Sequence, residues 1–206
     1  MIRKTSILAL LFISLYILTN VSIADETHHQ NPFGAGERLL IKLVGWSEAY
    51  TPGSGGNIDS VPNVKGDVVC HDVEMVDLQS NEVIGISTDC FSDAEPDSGG
   101  GAGFVGTTFL NFPNGTIVAQ GQFTAQPVLR ETTTITGVPI TAITGAATDG
   151  NSIIGGTGRY KNSTGNIRIS GMIDSTNYTF SAGDPLYFDC IFEIQLFDDA
   201  ANGSDT

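Results

Sequence analysis

Beyond residue 36 the apolar side chains recur mostly at every second position. Successive side chains of a strand point to opposite faces, so this period marks β-strands rather than helices. Residues 37–48 place Leu39, Ile41 and Leu43 on one face, and Leu40, Val44 and Trp46 with Lys42 and Glu48 on the other. This predicts a first strand with both faces partly covered. Residues 66–78 and 82–90 flank Gln79-Ser80-Asn81 and predict a hairpin. Residues 102–112 and 116–126 predict a second one around Pro113-Asn114-Gly115. Residues 128–147 are rich in Thr, Ile and Val, with Pro139 marking a strand boundary. In the last strand, 186–197, Leu186, Phe188, Cys190, Phe192, Ile194 and Leu196 form the face to be packed. Tyr187, Asp189, Ile191, Glu193 and Gln195 form the mixed face opposite.

Between the second hairpin and the last strand, Ile153 and Ile154 run into Gly155-Gly156-Thr157-Gly158. A short polar connection leads to Gly165 and an alternating stretch, 166–170. Glycine permits tight corners and close backbone approach, so this is a strand, a corner and a strand. A phosphate loop would need a helix after the glycines, and β-branched residues follow instead. Residues 49–63 and 91–101 are rich in Gly, Pro, Ser and acids and predict long loops. The first of them is expected either to cover a barrel mouth or to be mobile. Helical periodicity is missing throughout 25–206. Roughly eight strands joined mainly as hairpins predict an all-β domain, an antiparallel barrel or a sandwich, and periodicity does not separate the two.

The first residues change the picture of location. Arg3 and Lys4 precede an apolar run from Ile7 to Leu18, and small residues Ser22 and Ala24 precede Asp25. This is signal-peptide anatomy, too short for a spanning helix. The expected organisation is a signal peptide, 1–24, a flexible segment, 25–36, one domain, 37–197, and a polar tail, 198–206. The mature chain is expected to be secreted or periplasmic, with no membrane insertion.

The formal charge is −14, and the leader holds two cations and no acid, so the mature chain is more acidic still. A nucleic-acid ligand is excluded as a partner because it needs a basic face. The acidic loop 93–97 matches no calcium-loop spacing, and no cofactor or metal cluster is expected. Three cysteines, Cys70, Cys90 and Cys190, leave three pairings open in an exported chain. If the first turn centres on Ser80 and the ladder is unbulged, Cys70 and Cys90 face each other across it. Cys190 lies on the packed face and is expected to be an inert thiol. No Ser-His-Asp arrangement is visible, and His71 is the single histidine inside the domain. The acids placed on strands are Glu48, Asp72, Glu74 and Glu193. Trp46, Tyr160 and Tyr187 are the aromatic candidates for lining a cavity.

Several pieces resemble the allene oxide cyclase-like and dirigent-like barrels, in order along 37–197. Asn81-Glu82-Val83-Ile84-Gly85-Ile86-Ser87-Thr88-Asp89-Cys90 is similar to one of their strands. Phe112-Pro113-Asn114-Gly115-Thr116-Ile117-Val118-Ala119-Gln120-Gly121 is similar to a hairpin ending in Gln-Gly. Gly155-Gly156-Thr157-Gly158-Arg159-Tyr160, followed by Gly165, resembles their late corner. The resemblance implies a single eight-stranded antiparallel β-barrel with a largely apolar cavity, often trimeric, and so decides barrel over sandwich. It also implies that Cys90 matches a family site cysteine. The family's acid falls on Leu43, its nearby asparagine on Gly45, and Thr164 stands where dirigent proteins carry arginine. Scaffold residues are kept and functional ones are not.

Three functions compete. The first is a cavity that binds a small apolar molecule and steers its stereoselective cyclisation or coupling, an isomerase or cyclase if an enzyme. Its candidate catalytic residues are Glu48, Glu193 and Cys90. The second is a carrier of a lipid-like metabolite, and the third a packed structural or interaction protein of the envelope. A cavity with an inward carboxylate favours the first, a dry apolar cavity the second, and no cavity the third.

Overall fold

The computed structural model describes residues 36–64, 66–146 and 152–197. The expected signal peptide, nearly all of the expected segment before the domain and the expected tail lie outside the described residues. The strands are β1 Arg38–Glu48, β2 Val69–Asp77, β3 Val83–Pro96, β4 Ala102–Phe112, β5 Gly115–Thr133, β6 Pro139–Ala146, β7 Ile153–Gly156, β8 Thr164–Asp174 and β9 Pro185–Phe197. All ladders are antiparallel. The sheet order is β4-β3-β2-β1-β9-β8-β6-β5-β7, and β4 also pairs with β5. That last pairing closes eight strands into a barrel, with β7 as one short extra strand on the first part of β5. Closure removes both sheet edges, which an open sandwich would leave exposed.

Alternation sorts the side chains as the sequence predicts. Leu43, Met75, Leu110, Ile117 and Ile194 point inward, are fully buried, and fill one end of the barrel with the inner face of β9. The glycine-rich corner closes this end. Thr157 N–H donates to the Thr116 carbonyl at 2.8 Å, and Thr116 N–H donates to Thr157 Oγ1 at 3.1 Å. A Cβ on Gly156 would stand 2.3 Å from the Tyr160 carbonyl oxygen. Gly158 has φ +54°, and a Cβ there would stand 2.3 Å from the Asn114 oxygen. Glycine is therefore required at both places for the corner to dock on the β4–β5 turn. Only a single 3-10 turn, Gly158–Tyr160, follows, not the helix of a phosphate loop. Thr157→Val removes the bond to Thr116 and is expected to lower stability by about 1 kcal/mol, read as a lower urea midpoint at unchanged slope.

The first hairpin corrects one expectation while keeping its consequence. Asp77 N–H donates to the Glu82 carbonyl, so the turn spans four residues rather than three. A register shift then follows between Met75 and Val76. The longer turn moves the symmetry centre by half a residue, and the bulge moves it back. Cys70 therefore pairs directly with Cys90, and the two form a disulfide.

Residues 49–63 do not cover the mouth. They lie along the outer wall over β2 and β3. Tyr50 pairs with Cys70 through two backbone bonds, and Ile58 and Val61 pack on the disulfide and Phe109. Tyr50 Oη and Asn57 Nδ2 both donate to the Asp72 carboxylate, and Gln120 Nε2 donates to the Pro62 carbonyl. The outward disulfide is thus an apolar patch that the loop shields from water.

Candidate functional site

The other end of the barrel is hollow, with a cavity of about 310 Å³. Its origin is a run of small inward residues on neighbouring strands: Gly106 on β4, Ala119, Gly121 and Ala125 on β5, and Ala142 and Ala146 on β6. The inward positions of β9 opposite are large, with Phe188 and Phe192. Space is left where small side chains face the axis and filled where large ones do. Aromatic rings supply much of the wall, among them Phe91, Phe104, Phe123 and Tyr178.

Among the described residues one acid lines this space. Asp89 is nearly fully buried, because it alternates with Cys90, whose side chain is committed to the outside. Ser87 Oγ donates to Asp89 Oδ2 at 2.9 Å, and Thr108 Oγ1 donates to Oδ1 at 2.6 Å. Burial pushes the carboxyl up to about 6, although the two hydroxyls pull the other way. The charge of Asp72 adds a smaller upward push.

His71 is the direct cross-strand partner of Asp89 and is also fully buried. Its ring packs among Phe91, Tyr178 and Phe188, with Nε2 3.0 Å from Tyr178 Oη. Nδ1 makes no hydrogen bond; the Ser47 backbone lies close enough to favour the charged ring without reaching bonding geometry. Burial outweighs that and lowers the imidazole to about 4, so the ring is neutral at physiological pH. Tyr178, which lines the cavity, has its hydroxyl pushed up by burial. The Cys190 thiol, also on the wall, is fully buried, and chiefly that burial pushes it up to about 12.

The mouth is framed by Gly100 and Gly101 before β4 and by Ser175, Tyr178 and Phe180 between β8 and β9. Phe180 has φ +63°, a strained value for a bulky residue. Asp184 Oδ2 holds the turn by accepting from Thr179 N–H, Ser181 N–H and Thr179 Oγ1. The Phe180 ring is stacked on Phe104 with centroids 5.0 Å apart. The strain is repaid by an aromatic contact at the rim of the cavity.

The residues predicted for this site sit elsewhere. Glu48 is exposed at the end of β1, and Glu193 points outward to an ion pair with Arg38 at 2.9 Å. Trp46 is on the same outer wall, 55% exposed, with its ring 5.4 Å from that of Tyr187. Tyr160 is buried at the closed end against Phe112. Cys90 is in the disulfide and has no free thiol. Leu43, where the resemblance places the family's acid, is solid core. Asp89 and His71 were missed as a site. Their signal lay in the first hairpin: if Cys90 and Cys70 face each other on the outside, their chain neighbours Asp89 on β3 and His71 on β2 must face in.

Among the described residues no group of three His, Cys, Asp or Glu side chains is placed to hold a metal. No helix among them is long and apolar enough to cross a membrane.

No protein-family model matches the chain, and no curated protein matches it either. Among solved structures it is similar to AbnU, described as an exo-specific intermolecular Diels-Alderase. The two are 15% identical, the match covers 78% of this chain and 99% of that one, and the TM-score is 0.34. At that distance neither the chemistry nor the site residues of that protein transfer to this one.

Proposed function

We propose that the exported barrel binds one small, largely apolar molecule in its cavity and holds it in a single conformation during a cyclisation or coupling. This is the chemistry that the resemblance to allene oxide cyclase-like and dirigent-like barrels implies. The observation that carries the reading is an apolar space of about 310 Å³ with one buried carboxyl, Asp89, on its wall. Confinement supplies shape and orientation, which is most of what a stereoselective ring closure needs. A carboxyl lifted to about 6 can take a proton from a bound molecule, or return one, near neutral pH. As an anion it also stabilises positive charge developing on the substrate. The inward carboxylate favours this reading over a passive carrier, and the cavity itself argues against a fully packed structural barrel.

Native mass spectrometry of the protein from its own source tests this. The expected spectrum carries a defined small mass, and a homotrimer is the assembly expected from the resemblance. Ala142→Phe fills the cavity and is expected to abolish the bound mass. An empty wild-type barrel that also fails to take up the apolar fluorophore N-phenylnaphthylamine would overturn the reading.

A further inference from the structure

Resting on the cavity reading above, we propose that the ligand is an amphiphilic amine, its protonated nitrogen seated against the Asp89 carboxylate and its hydrocarbon body among the aromatic rings. Three observations converge on this class. First, both carboxylate oxygens already accept from hydroxyls, Oδ2 from Ser87 and Oδ1 from Thr108. That arrangement serves an anion, and the lone pairs left over ask for a further donor. Second, the charge is not compensated. No Lys, Arg or His is among the described residues that line the cavity. Lys42 and Arg38, the cations paired with β9 among the described residues, are engaged outside with Asp189 and Glu193. A buried carboxylate without a cation is costly, and a ligand that brings one removes the cost.

Third, the rest of the wall suits a cation with an apolar body. Phe91, Phe104, Phe123, Phe188 and Phe192 present aromatic surface, whose ring quadrupoles attract positive charge. The formal charge of −14 also draws cations toward the protein and repels anions. A neutral alcohol would satisfy the hydrogen bond but leave the buried charge as it was. A carboxylic acid or phosphate would meet Asp89 with like charge. The amine alone answers both the hydrogen-bonding and the charge of the site.

The test is isothermal titration of the mature chain at neutral pH with naphthylethylamine and naphthylethanol, the same ring and chain ending in an amine or a hydroxyl. The amine is expected to bind at one site, at least about tenfold tighter than the alcohol, the size of a charged hydrogen bond. In Asp89→Asn the ratio is expected to fall to about one, with circular dichroism reporting that the barrel is folded. Ala142→Phe should abolish both bindings and so separate cavity binding from attraction to the acidic surface. If the alcohol binds wild type as tightly as the amine, the amine proposal fails and the cavity reading stands. If the amine preference survives in Asp89→Asn, the amine sits elsewhere and the proposal also fails. If neither probe binds wild type, the cavity reading fails with it.

Discussion

On acidification from pH 6.5 to 4, Asp89→Asn is expected to lose roughly 2–3 kcal/mol more stability than wild type. The reason is a pair of buried groups with opposite linkage. Asp89 has its folded value raised from 3.8 to about 6. Between those values the folded protein holds a proton that the unfolded chain has released, so the Asp89 contribution improves as pH falls. His71 has its folded value lowered from 6.5 to about 4. Over that range the unfolded chain takes up a proton that the folded protein refuses, so the His71 contribution worsens as pH falls. The two effects nearly cancel in wild type. Removing Asp89 exposes the histidine penalty, and His71→Phe exposes the opposite slope, a gain of roughly 2 kcal/mol on acidification. Urea midpoints across this range, taken as differences from wild type, remove the titration of every shared group. An Asp89→Asn profile parallel to wild type would mean that Asp89 is ionised and paid for in some other way.

Loss of the disulfide is expected to cost about 3 kcal/mol, by reduction or in Cys70→Ala/Cys90→Ala. The bond closes a loop with a sequence separation of 20, which restricts the unfolded chain. It also sits where the segment 49–63 is anchored, since Tyr50 bonds the backbone of Cys70 in both directions. The expected signature is a lower urea midpoint in the double variant and in reduced wild type, with no further effect of reductant on the variant. A thiol reagent should not reach Cys190 until the protein unfolds, because that sulfur is fully buried. Equal midpoints with and without reductant would sink this prediction.

The sequence by itself determined the strands. Period-two alternation laid out β1, β4, β9 and the first part of β3, which runs on to Pro96 through a stretch expected to be loop; the Pro113-Asn114-Gly115 turn joined β4 to β5, and Pro139 opened β6 as expected. It also determined the late glycine corner, because no other residue tolerates the approach of Gly156 to Tyr160 or the φ of Gly158. These are local properties, carried by side-chain spacing and backbone sterics. The inner face of β9 was legible from its uneven faces, but the tertiary structure decided which face of β1 is the inside. Alternation shows that Trp46 and Glu48 share a face, but Leu40, Val44 and Trp46 made that face look as apolar as its opposite. Only closure of the barrel put it outward, together with Glu193 and Tyr187. The disulfide was legible through a sum of positions in which a longer turn and a bulge cancel. The cavity was implied by the resemblance alone; residue spacing did not show where it lies or what lines it. It depends on small inward residues of β4, β5 and β6 coming to face one another across a closed ring, and on Asp89 falling into the space they leave. Spacing along one strand contains no term for what stands on the far side of the barrel.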